Sequence, residues 1–136
     1  MNWNFGKRTG NMTVSNFDAS HFEGGLTFTG KMCAPGVTSC GSTPGGAWRT
    51  PNGNHFGDPL KGQLPGTAQF GQQPVPIDAD YRDLNGFALG SFVRGPGPDQ
   101  AIPRSVPAGV IGNWAVGNDR YMASGIFGGS RVVPTQ

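Results

Sequence analysis

A chain of 136 residues with 24 glycines and 12 prolines has the length of one domain and a core to match, but a turn content that leaves little room for long helices. Its net charge of +2, from ten basic and eight acidic residues, is spread without a basic stripe, which argues against nucleic-acid binding. No apolar run reaches the length of a membrane-spanning helix, and the strand-like runs are too short and too rich in Gly, Asn, Ser and Thr for an outer-membrane barrel.

The first runs, "NWNFG" and "GNMTVSNF", alternate Trp3 and Phe5, then Met12 and Val14, with polar residues, the period of half-buried strands. "GKRT" between them, Gly6 to Thr9, reads as a hairpin connection. In "GLTFTGKMC" one face carries Leu26, Phe28, Gly30 and Met32 and the other Thr27, Thr29 and Lys31. From Gly41 to Asp58 prolines and glycines predict a long loop, with a short strand over Pro59 to Leu64. A second irregular stretch covers 65–83, where prolines at 65, 74 and 76 exclude a central strand. "LNGFALGSFVRGP" restores strand character with both faces partly apolar, and a third loop, 95–107, carries four prolines. "AGVIGNWAV" and "DRYMASGIF" close the chain as a hairpin turning at Gly117 and Asn118 with φ > 0 at one or both, and Val110, Gly112, Trp114 and Val116 on one face. The whole predicts an all-β domain: a small antiparallel up-and-down β-barrel of about eight strands with long Gly/Pro-rich loops.

Little catalytic chemistry is legible. The glycines of "ASGIFGGSR", 123–131, precede no helix that could present amides to a phosphate. They read instead as packing glycines of a closing strand, with Gly125, Gly128 and Gly129 relieving crowding near backbone or large rings. Asp78, Asp80 and Asp83 in "DADYRDLNG" read as a solvated acidic turn, with a calcium site as the alternative. His21 and His55 read as turn histidines, each with the alternative of a haem axial ligand; His55 is the candidate at the barrel mouth because it falls in a long loop. No nucleophile motif occurs, so the chain reads as no enzyme and no resident cofactor is assigned. The candidate partner-binding residues are Trp48, Arg49, His55, Phe56, Arg94 and Arg104 in the loops, because Trp and Arg are the types that anchor interfaces.

Cys33 and Cys40 in "CAPGVTSC" flank a Pro-Gly turn, and a disulfide closing it would contribute about 2–3 kcal/mol. Free thiols remain the second reading, and a metal would need ligands that isolated histidines do not supply. A disulfide points outside the cytoplasm. Met1 leads directly into strand-like sequence, so residues 1–136 are expected to be one domain cut from a longer exported protein.

The order "GSFVRGP", a proline-rich loop, "AGVIGNWAV", then "ASGIFGGSR" resembles the β-barrel of the transferrin-binding-protein-B-like family of bacterial surface lipoproteins. Ser91, Phe92, Gly95, Pro96, Gly109, Gly125, Phe127 and Gly128 carry the match, and "NFGKRTGNMTV" is similar to that family's opening hairpin. Similar barrels end longer exported proteins with a FecR-type sensor domain. The resemblance implies a non-catalytic eight-stranded barrel displayed in the periplasm or at the cell surface; the three long loops are read as meeting a protein or iron/haem-related partner, with a small apolar ligand or haem carrier, or a structural module without ligand, as the alternatives. Transferrin recognition does not carry over, since the family uses variable loops and a separate handle domain for it, and neither has a recognisable copy in this sequence.

Overall fold

The computed structural model describes residues 1–4, 7–34, 55–93 and 109–130. Nine strands follow in order: β1 (Asn2–Asn4), β2 (Thr9–Phe17), β3 (Leu26–Cys33), β4 (His55–Gln63), β5 (Thr67–Phe70), β6 (Gln73–Pro76), β7 (Asp83–Val93), β8 (Gly109–Gly117) and β9 (Met122–Ser130). A 3-10 turn over Ala79–Tyr81 is the only helical element among the described residues. The protein is all-β. Seven strands form one antiparallel sheet in the order β1-β2-β3-β4-β7-β8-β9, curled into a half-barrel, and β5-β6 make a separate hairpin. Each strand of the large sheet lies beside its neighbour in the chain, apart from the insertion of β5-β6 between β4 and β7. The up-and-down order expected from the alternating runs is therefore present, with seven strands in this sheet among the described residues.

The concave face holds the core, built by period-two alternation. Leu26, Phe28 and Met32 of β3, Phe56 and Leu60 of β4, Leu84 and Ala88 of β7, and Trp114 and Val116 of β8 are all buried. Strand curvature is made possible by glycines that lie directly across the ladder from aromatic rings. Phe28 faces Gly62, Phe56 faces Gly90, Phe127 faces Gly112, and Trp114 faces Gly125. In each pair the ring occupies the space that a Cβ on the glycine would need. Gly125 thus does what its sequence context suggests. Gly128 and Gly129 do not: a Cβ at Gly129 would meet nothing within 4 Å, and at Gly128 only ordinary contacts at 3.6 and 3.9 Å.

Three expectations need correction. The loop drawn over 41–58 ends earlier, because β4 begins at His55 and runs nine residues through Pro59. Proline is tolerated there because β4 keeps its full ladder with β7, Pro59 opposite Phe87, while pairing to β3 lapses between Thr29↔Lys61 and Cys33↔Gly57. A missing N–H costs only one side of the strand. The stretch 65–83 is not irregular either: β5 and β6 pair from Thr67↔Pro76 to Phe70↔Gln73, in a two-stranded sheet where both strands are edges. The β8–β9 turn lacks positive φ at Gly117 and Asn118. The Asn118 side chain shapes it instead, its Oδ1 accepting from the amides of Arg120 (2.8 Å) and Tyr121 (2.9 Å).

Candidate functional site

The two rims of the half-barrel differ in construction. One rim collects the ends of β1, β3, β7 and β9 and the starts of β2, β4 and β8. The strands that flank 35–54 and 94–108 in the chain end and begin at this rim; those two segments lie outside the described residues. The third long Gly/Pro-rich stretch, 65–83, belongs to the opposite rim.

Beneath the first rim lies a cluster of rings. Trp3 sits 5.4 Å from Phe56 and 5.0 Å from Phe92, and Phe56 sits 5.0 Å from Phe92 and 6.2 Å from Phe127. These tilted and edge-on geometries are the favourable ones for aromatic pairs. Trp3, Phe92 and Phe127 are only partly buried and pack against the core. Phe56 is the exception. It was expected in a loop and in contact with a partner, yet it lies within β4 at 0% exposure, because the position alternates inward opposite Gly90. It serves the core.

His55 begins β4 and points to the convex side, where its Nδ1 lies 2.7 Å from Ser91 Oγ, its cross-strand neighbour. His55 stands at the rim where β4 begins, but its ring is on the convex face, while the adjacent Phe56 ring lies on the other face of the sheet. His55 borders an open groove of about 830 Å³, lined also by Leu89, Ile111 and Ile126. A serine hydroxyl at this distance from an imidazole is half of a nucleophile–base arrangement. Among the described residues no carboxylate bonds the second nitrogen of His55 to orient it. Cys33 ends β3 as a buried residue. Cys40, Trp48, Arg49, Arg94 and Arg104 lie outside the described residues.

The opposite rim is sealed. Leu64 N donates to Arg82 O (2.7 Å), Ile77 N to Gly66 O (2.9 Å), and Gln69 N to His21 O (2.7 Å), which folds the β5-β6 hairpin across the end. Arg82 donates twice to Ile77 O, at 3.0 and 2.8 Å. Asp18, just after β2 with φ of 54°, ties the β2–β3 and β8–β9 connections together. Its Oδ1 lies 2.7 Å from His21 Nδ1 and its Oδ2 accepts from Tyr121 Oη at 3.1 Å. Burial, then the hydrogen bond to Asp18 and the charge of that carboxylate, push the Tyr121 hydroxyl up to about 12. His21 also lies against Phe70, with ring centroids 4.9 Å apart. So His21 is a structural turn residue, and Ser20 donates to the same carboxylate (3.3 Å) rather than standing ready as a nucleophile.

The acidic group at 78–83 disperses. Asp78 caps the 3-10 turn by accepting from Asp80 N (3.1 Å), and Asp83 accepts from Gln63 (2.9 Å). Among the described residues no three His, Cys, Asp or Glu side chains gather as a metal site. Two features had no sequence signal: the Asp18–Tyr121 contact, which spans 103 residues, and Asp58, a carboxylate at 1% exposure between Phe56 and Leu60.

Comparison with protein-family models, curated proteins and solved structures finds no match. The transferrin-binding-protein-B-like resemblance rests on the residues quoted for it.

Proposed function

We propose that this domain is a non-catalytic binding or display module of an exported bacterial protein, its barrel a rigid frame and its open rim the surface that meets a partner. One observation carries the reading: the described strand ends that flank 35–54 and 94–108 in the chain lie at the same rim, beside the Trp3–Phe92–Phe127 ring cluster, while the other rim carries its own hairpin. Long connections held on a rigid sheet are where binding residues concentrate. Trp48, Arg49, Arg94 and Arg104 fall in those two connections and are the candidate anchors. Their partner is a protein or a small molecule at the cell surface or in the periplasm. That location is supported by the cysteines, since Cys33 is buried and among the described residues no cysteine is free. The resemblance to transferrin-binding-protein-B-like barrels points the same way.

The test exchanges 41–54 and 95–107 separately for short Gly-Asn turns, leaving Cys33 and Cys40 in place. Partners captured from the source organism's exported proteins are then titrated against the purified variants. Loss of affinity in either exchange, with folding intact, is the expected result. Unchanged affinity in both would refute the open rim as the binding surface.

A further inference from the structure

The two edges of the half-barrel line one cavity. β1 and β2 bring Trp3, Met12 and Val14 to it, β8 and β9 bring Val110, Trp114 and Phe127, and Phe92 of β7 joins them. Its volume, about 580 Å³, is that of a small-molecule site. Trp3, Val14, Phe92, Val110 and Phe127 are only partly buried against the core, so the surface offered to an occupant is apolar and largely aromatic. Among the described residues no charged side chain lines the cavity, and Asn2, Thr13 and Ser130 supply polar but non-ionisable groups.

Gly129 marks where a ligand fits. It shares the inward face of β9 with Gly125 and Phe127, pairs with Val110 across the ladder, and belongs to the cavity lining. Three inward glycines of β7, β8 and β9 are covered by rings of this chain: Gly90 by Phe56, Gly112 by Phe127 and Gly125 by Trp114. Gly129 has no such cover among the described residues. A Cβ there would meet nothing within 4 Å, and its φ is not in the left-handed region, so neither packing nor backbone conformation calls for glycine. A flat ring laid over Gly129 repeats the arrangement at the other three positions. It would have Phe127 two residues along the strand and Phe92 two strands away as aromatic partners.

We propose that this cavity binds an uncharged, flat aromatic molecule, with one ring over Gly129 among Trp3, Phe92 and Phe127. An ionised ligand would lose its hydration there without a countercharge. Haem would find no imidazole for its iron among the described residues, since His55 meets Ser91 on the convex face and His21 meets Asp18 at the opposite rim. The site goes beyond the loop-borne binding proposed above. None of its lining residues lies in 41–54 or 95–107, so exchanging those loops and blocking this cavity test separate claims.

The experiment titrates N-phenylnaphthylamine, a neutral aromatic probe that fluoresces on leaving water, into the whole chain and into Gly129→Leu and Ile111→Lys. Expected is saturable binding with quenching of tryptophan emission, because Trp3 and Trp114 line the cavity. Gly129→Leu should raise the dissociation constant more than about tenfold, while its circular dichroism and urea unfolding match the natural chain. Ile111→Lys controls for adsorption to the convex face, where Ile111 is 56% exposed, and should leave the affinity unchanged. Dodecanoate, an ionised aliphatic chain, should not displace the probe. Absence of saturable binding, binding without tryptophan quenching, or displacement by dodecanoate overturns the proposal. So does an affinity that Gly129→Leu leaves unchanged, or that falls as far with Ile111→Lys as with Gly129→Leu. A Gly129→Leu chain that does not fold overturns it as well, because the fold would then itself require glycine at 129.

Discussion

Gly90→Ala tests the packing rule that lets this sheet curl. The φ of Gly90 is not in the left-handed region, so backbone conformation does not forbid alanine. The obstacle is the Phe56 ring, whose Cε1 and Cε2 would lie 2.8 Å from the new Cβ, with Cζ nearer still. Phe56 cannot swing away, because its ring is fully buried against Trp3, Phe92 and Phe127. Overpacking of this kind costs about 1–3 kcal/mol, and the reduced entropy of the unfolded chain returns about 0.4–1 kcal/mol. A net loss of about 1–2 kcal/mol is expected from urea unfolding. The sharper quantity is the coupling. In a Phe56→Leu background the ring is gone, so Gly90→Ala should become neutral or slightly stabilising, a non-additivity of about 2 kcal/mol. Gly129→Ala is the internal control: with nothing within 4 Å of its Cβ, it should change stability by less than about 0.5 kcal/mol. Equal cost of Gly90→Ala in both backgrounds, or a Gly129→Ala loss as large as that of Gly90→Ala, would refute the ring-over-glycine account.

The remaining predictions concern the closed rim and the cysteines. Because the folded-state pKa of Tyr121 is raised from 10.0 to about 12, the contribution of its neutral hydroxyl is complete below pH 10 and is lost as pH rises towards 12. Ultraviolet titration should show a late-ionising phenol component that Tyr121→Phe removes; a titration that Tyr121→Phe leaves unchanged above pH 10 would contradict the Asp18 contact. For the cysteines, intact mass under non-reducing conditions should be two hydrogens below the reduced mass, with no uptake of alkylating agent until a reductant is added. Alkylation of the folded, unreduced protein would exclude the Cys33–Cys40 bond.

How much of this could be read from the chain depends on the range of the interaction. The inward faces of β3 and β8 follow from alternation alone, because Leu26, Phe28 and Met32, or Trp114 and Val116, are two residues apart and each strand sits in one sheet. The β5-β6 hairpin escaped because proline argues only against central strands, and an isolated two-stranded ribbon has none. β4 escaped for a related reason: whether Pro59 breaks a strand depends on which neighbour needs its N–H, and that neighbour is set by topology. Phe56 is misplaced because the strand read from Pro59 begins four residues earlier, at His55, and only that extension sets Phe56 opposite Gly90. The Asp18–His21–Tyr121 clasp joins residues from opposite ends of the chain and leaves no local pattern. The features of the open rim that were legible are compositional: the Gly/Pro-rich connections and the Trp and Arg residues within them.

The glycines that make the chain resemble transferrin-binding-protein-B-like barrels have two separable explanations. Gly125 accommodates the Trp114 ring, whose Nε1 would lie 2.8 Å from a Cβ there, and Gly109 comes against the backbone of Gly129, with Cβ to carbonyl carbon at 3.3 Å. Phe127 covers Gly112 across the ladder. Any tightly curled antiparallel sheet with rings on its concave side meets these demands, so the three positions would look alike in unrelated barrels. Gly128 is different. Its Cβ would make only ordinary contacts at 3.6 and 3.9 Å, and no packing demand of this fold calls for glycine there. Shared descent is therefore best tested at Gly128, and at Ser91, whose hydroxyl meets His55 on the convex face rather than serving the core. A barrel that repeats the 109, 125 and 127 pattern but varies at 91 and 128 shares the physics of this fold without sharing its ancestry.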